Sequence, residues 1–112
     1  MIEDAVIAER LYARKLVHWP AQIESEQTKC LGIMQDMSKS GGRLFMKRFF
    51  PVDTEIRVIL AEGIERNCVV RRCVALPDMH KFDLGFEVLG EAWPDSILSA
   101  AEGSENETVH PY

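Results

Sequence analysis

The sequence has no apolar run approaching the roughly 20 residues needed to cross a bilayer as a helix. Membrane insertion by that route is not expected. A secretory leader is not expected either, because the first residues carry Glu3, Asp4 and Glu9 and lack a basic stretch followed by an apolar one. The expected location is the cytoplasm. An excess of basic charge is also missing: 13 Lys and Arg stand against 18 Asp and Glu, a formal net charge of −5. A general electrostatic footprint for DNA or RNA is thereby excluded, whereas a small anion needs only a local cluster of cations. Cysteine is scarce and odd in number, at Cys30, Cys68 and Cys73, which argues against a disulfide framework. Cys68 and Cys73 stand five apart in one predicted strand, a spacing that puts them on opposite faces and denies a metal two ligands from one side. All three read as ordinary core or strand thiols.

What is present suits one soluble domain. The 112 residues are 46% hydrophobic and 28% charged, enough for a single modest core. No internal repeat or low-complexity tract interrupts them. Ile2, Ala5, Val6 and Leu11 recur at helical spacing and predict a short helix over residues 1–12 that must dock to persist. The period then changes to two. Val17, Trp19, Ala21 and Ile23 alternate with polar residues in a half-buried strand, and Pro20 within it signals an edge or a bulge. Further strands are predicted over 28–35, ending near Asp36, and over 44–49, 55–61, 64–76 and 81–89. The fifth is expected to bend near Arg71-Arg72, and the sixth to turn Phe82, Leu84, Phe86 and Val88 inward. Turns fall at Ser40-Gly41-Gly42, Glu62-Gly63 and Pro77-Asp78. A closing helix is predicted over 94–101, with Pro94 in its first turn and Ile97 and Leu98 as anchors. The fold class is therefore mainly β, a six-stranded antiparallel barrel, which also removes exposed edges. Three parts are expected: an N-terminal segment over 1–14, the barrel with its closing helix over 15–102, and a loose polar tail over 103–112.

Two short features carry chemistry. Arg10 and Arg14 stand four apart, with Lys15 beside them. A guanidinium matches a phosphate, or the O6/N7 edge of guanine, with two parallel donors. The same spacing also describes two solvated arginines on a helix face. The second feature is Asp36-Met-Ser38-Lys-Ser-Gly41, followed by Gly42. A carboxylate can accept from the N1 and N2 donors of guanine, Ser38 can donate or accept at short range, and glycines at φ above zero would let a flat base approach the backbone. The same residues also make an ordinary strand-to-strand turn.

Taken together, Arg10-x-x-x-Arg14 followed by Asp36-x-Ser38-x-x-Gly41 resembles the two-part signature of the PilZ family. The resemblance extends to the six-strand pattern, to the Asp83-Leu-Gly85-Phe86-Glu run in the last strand and to the closing helix, covering residues 9–102. It implies a bacterial barrel domain that binds the second messenger cyclic di-GMP and transmits the signal to a partner protein by changing shape. In that likeness Arg10 and Arg14 contact phosphates and one guanine, while Asp36, Ser38 and Gly41, with Gly42 beside them, hold the other. Many members carry a further arginine just before the pair, which helps hold two stacked ligands. Here that position is Glu9, which repels a phosphate at close range and points to one ligand per domain or to weak binding. The alternative is a barrel that binds no nucleotide and acts through protein contacts alone.

The remaining residues add little. Lys47-Arg48 and Arg71-Arg72 line the same cleft or stand in water. His18 and His80 lack partners at ligand spacing, His110 falls in the tail, and Trp19 and Trp93 read as packing residues. With no nucleophile–base pair, metal cluster or phosphate loop, neither enzyme activity nor a cofactor is expected, only the ligand cyclic di-GMP.

Overall fold

The computed structural model describes residues 15–100. The predicted N-terminal helix, Arg10, Arg14, Glu9 and the tail over 103–112 lie outside the described residues. Six strands form the body: β1 (Lys15–Glu24), β2 (Lys29–Ser38), β3 (Gly41–Met46), β4 (Glu55–Leu60), β5 (Glu65–Leu76) and β6 (Lys81–Val88). They close into one antiparallel barrel in the order β1-β2-β3-β6-β5-β4. Closure pairs every strand on both sides, so no edge is left open. Single turns of 3-10 helix at Ala61–Gly63 and Pro77–Met79 join β4 to β5 and β5 to β6. A short helix, α1 (Asp95–Ala100), follows the barrel. Among the described residues no helix is long and apolar enough to cross a membrane.

Alternation supplies the core. Ile56, Val58 and Leu60 on β4, and Leu84, Phe86 and Val88 on β6, are buried and meet Ala21, Ile23, Met34, Leu44, Cys68 and Val70 inside. Burying each such side chain contributes about 1.5–3 kcal/mol. Trp93 closes one end of the barrel against Phe86, ring to ring edge-on at 6.4 Å, with the Arg66 guanidinium 5.9 Å from its own ring centroid. Pro20 lies one residue before the β1–β4 ladder begins at Ala21 and close to a break in the β1–β2 register.

Besides that break on β1, strict alternation fails on β2 and on β5, each by one extra residue. Between Met34 and Asp36 on β2 the partner strand advances by a single step, from Leu44 to Arg43, so Gln35 is the surplus residue. Between Val70 and Arg72 on β5 the partner advances from Phe86 to Gly85, so Arg71 is surplus. A bulge of this kind resets the pleat. Cys68 and Cys73 therefore share the inner face, opposite Val88 and Leu84, instead of lying on opposite faces as an odd spacing predicts. All three cysteines are free thiols.

Two further expectations change. β2 does not end at Asp36 but continues through Ser38, and β3 begins at Gly41 instead of at Leu44. The connecting turn is Lys39-Ser40, with Ser38 and Gly41 paired across it. Gly41 and Gly42 do not adopt positive φ, a conformation found at Gly63 and Gly90. They are strand residues, needed for clearance. A Cβ on Gly41 would stand 2.5 Å from the Phe86 carbonyl oxygen, and one on Gly42 would stand 2.7 Å from the Phe86 ring and 2.9 Å from the Asp36 carbonyl oxygen.

Two measurements follow. Backbone cannot swing aside as a side chain can, so Gly41→Ala is expected to cost about 1–3 kcal/mol in urea unfolding. Burial pushes the Cys68 thiol up to about 12. Unfolded chains ionise this thiol from about pH 9 while the folded state keeps its proton, so the thiol's contribution to stability falls as pH rises through that window. Cys68→Ala is expected to lower stability at neutral pH and to flatten the alkaline slope, read as urea midpoints at about pH 8 and about pH 10.5.

Candidate functional site

The hairpin β2–β3 is symmetric about Lys39-Ser40. Its register therefore sets Ser38 opposite Gly41 and Asp36 opposite Arg43, and brings the four described residues of the predicted site together at one end of the barrel. The Gln35 bulge determines which way they face. Met34 and Met37 both turn inward and are fully buried, which puts Asp36 and Ser38, on either side of Met37, on the outer face. The turn itself is tied down: the Ser40 carbonyl accepts from the Val88 N–H at 2.7 Å, and the Lys39 carbonyl accepts from the Trp93 N–H at 3.1 Å.

Although they face outward, Asp36 and Ser38 are covered, at 0% and 5% exposure. Arg43 accounts for part of the cover. Its Nη1 donates to Asp36 Oδ2 at 2.8 Å and its Nε donates to Asp83 Oδ1 at 3.0 Å. Arg72 approaches the other Asp83 oxygen at 3.8 Å. The guanidinium thus bridges carboxylates from two different strands, β2 and β6, across the strand that carries it. Gly85, directly opposite Arg43 on β6, has no side chain to obstruct it, and Arg72 lies opposite Gly85 in turn. Asp36, Arg43, Gly85 and Arg72 form one cross-strand row, with the two bulges on its flanks.

Arg43 is the site residue that reading the sequence missed. The signal was present in the hairpin register: Asp36 and Arg43 are equidistant from a two-residue turn, and a charged residue within the apolar run of β3 needs a partner there. The other cation pairs divide. Arg71 donates to Glu87 at 2.8 Å and to Asp53 at 3.3 Å, on the exposed surface. Lys47 and Arg48 are exposed beyond the end of β3. Among the described residues no cluster of His, Cys, Asp or Glu could hold a metal ion. A concavity of about 800 Å³ lies at the opposite end of β2 beside the β1–β2 turn. It mixes Glu24, Glu26 and Glu55 with Arg48 and Arg57. There Arg57 donates to Glu24 at 2.6 Å, a bond that holds the Glu24 carboxyl below its usual range.

No protein-family profile and no curated protein sequence matches the chain. Solved structures do. The Bacillus subtilis inhibitor of motility MotI/DgrA is similar with a TM-score of 0.64 and 19% identity, over 82% of this chain and 47% of that one. MrkH of K. pneumonia, solved as a complex with c-di-GMP, is similar with a TM-score of 0.59 and 18% identity, over 85% of this chain and 54% of that one. Both are PilZ-domain proteins. The fold is PilZ-like. At these identities the likeness is one of fold, and the chain spans about half the length of each structure it matches.

In the PilZ-like barrel the Arg43 bridge is expected to be structural. Arg43→Met removes the cation shared by a fully buried carboxylate and a largely buried one. Stranding a buried charge typically costs 3–5 kcal/mol. With Arg43 itself a quarter exposed, the loss is expected at about 3 kcal/mol or less in urea unfolding. Lys in its place supplies charge without the fork and is expected to recover only part of the loss.

Proposed function

We propose that the chain is a cyclic di-GMP receptor domain that passes the signal to a partner protein without catalysing a reaction. The observation that carries this reading is the placement of Asp36, Ser38, Gly41 and Gly42 together at one hairpin end of a PilZ-like barrel, with Asp36 and Ser38 on the outer face. A similar barrel, MrkH, has been solved with c-di-GMP. In this reading Asp36 and Ser38 meet a guanine edge, the absent side chains of Gly41 and Gly42 keep the hairpin flat, and Arg10 and Arg14 supply phosphate and guanine contacts from the preceding segment. Glu9 limits the domain to one ligand or weakens its hold. Because Oδ2 of Asp36 accepts from Arg43, guanine binding at this carboxylate has to share or displace that donor.

The cover over Asp36 favours a second reading, in which Asp36 and Ser38 are structural and the barrel works only through protein contacts. Isothermal titration with cyclic di-GMP, with GTP as control, separates the two. The receptor reading expects selective binding with one ligand per chain. It also expects at least a tenfold loss in Arg14→Ala with no change in thermal unfolding, and tighter binding or a higher stoichiometry in Glu9→Arg. Absence of heat and of thermal stabilisation at high ligand would leave the second reading standing.

A further inference from the structure

The outer face of the barrel next to the Arg43 row carries a different surface. Leu31 and Ile33 project from β2 with 72% and 37% exposure, and Phe45 pairs with Ile33 from β3. These three floor a groove of about 630 Å³, bordered by Lys47, Arg48 and Lys81. Lys81 Nζ stands 6.0 Å from the Phe45 ring centroid. None of the three cations forms an ion pair among the described residues, although acids outnumber bases in the chain as a whole. Elsewhere on the barrel Arg43, Arg57 and Arg71 each have carboxylate partners.

We propose that this groove docks an acidic amphipathic helix of a partner protein, with apolar residues on the Leu31–Ile33–Phe45 floor and carboxylates against Lys47, Arg48 and Lys81. Charge complementarity selects this occupant. Exposed apolar side chains rimmed by charge of one sign mark a recognition surface, and that sign sets the charge of the partner. Dimensions agree. Three residues along β2 span about 7 Å, and three neighbouring strands span about 10 Å, which accommodates one helix about 10 Å across. The strands beneath are paired on both sides, so recognition runs through side chains and not through an added strand. An anionic bilayer is a poorer match, because the surface is concave. The inference does not depend on nucleotide binding, since neither Asp36 nor Ser38 lines the groove.

The test uses the full chain, isotope-labelled, and a synthetic helical peptide with Leu and Phe on one face and Glu on the other. Its control carries Lys for every Glu. Backbone resonances are followed with and without cyclic di-GMP. The acidic peptide is expected to shift residues 31–33, 45–48 and 81 in both conditions and the control to leave them in place. Leu31→Ser and Lys81→Glu are each expected to weaken binding roughly tenfold while thermal unfolding is unchanged. Four results would overturn the proposal: no shifts at millimolar peptide; equal shifts with the Lys control; shifts produced by phosphatidylglycerol vesicles but not by the peptide; or self-association in sedimentation that Leu31→Ser abolishes, which would make this face a contact between two copies. Nucleotide titration of the same sample reports separately on the receptor reading.

Discussion

The tie between Arg43, Asp36 and Asp83 is the interaction on which this end of the barrel depends. One guanidinium on β3 bonds carboxylates on β2 and β6, the strands on either side of it. Backbone ladders already join these strands, so the bridge is not needed to close the barrel. Its effect is to make two outward carboxylates compatible with burial. A fork of fixed donors suits that task because it meets both acids without bending. The cost of desolvating these charges is met by geometry, and geometry here comes from the backbone: a hairpin register that faces Asp36 with Arg43, and a glycine opposite Arg43 that leaves the guanidinium room.

Two bulges make that geometry available. Had β2 kept strict alternation after Met34, Asp36 would point into an apolar core and Met37 into water. Gln35 reverses the phase, and Arg71 does the same on β5. The bulges flank the same cross-strand row, which concentrates irregular backbone beside the charged cluster. Packing constrains the hairpin further. Gly41 and Gly42 lie flat against Phe86, Phe86 meets Trp93, and Trp93 donates its backbone N–H to Lys39 in the turn. The motif-bearing hairpin and the approach to α1 are thus parts of one packed unit. Among the described residues Trp93 Nε1 is buried without a partner, a local penalty of about 1–3 kcal/mol that the burial of the ring offsets.

What the sequence made legible depended on whether a period of two held. Strands β4 and β6 follow an unbroken alternation and their bounds emerge within a residue. The Pro77 turn and the Gly63 turn announce themselves by residue type. Where a bulge intervened, parity arguments failed, as for Cys68 and Cys73, because nothing in Val70-Arg71-Arg72 states which residue is surplus. The glycines were assigned to the right place for the wrong reason: turn chemistry favours glycine at positive φ, but Gly41 and Gly42 are small because another strand passes close by, and a single sequence does not display what lies across a barrel. Arg43 was legible only after the turn had been placed at Lys39-Ser40. Moving the turn by one residue pairs Asp36 with a different position and hides the bridge.

Phe45 connects the two ends of this outer face. Its ring has the Arg43 guanidinium 5.7 Å from its centroid and the Lys81 ammonium at 6.0 Å. Arg43 belongs to the carboxylate bridge, while Lys81 and Phe45 belong to the apolar groove. A cation near an aromatic face is attracted by about 0.5–1 kcal/mol at an exposed site, too little to fix either side chain alone. The Arg43 orientation is therefore set by its carboxylates, and the ring packs beside an arginine already in place. The dependence runs from the buried charge outward: the bulge orients Asp36, Asp36 with Asp83 orients Arg43, and Arg43 flanks the ring that floors the groove. A charged bridge at the barrel's end thus helps to shape an apolar surface one residue row away, through a side chain that belongs to both.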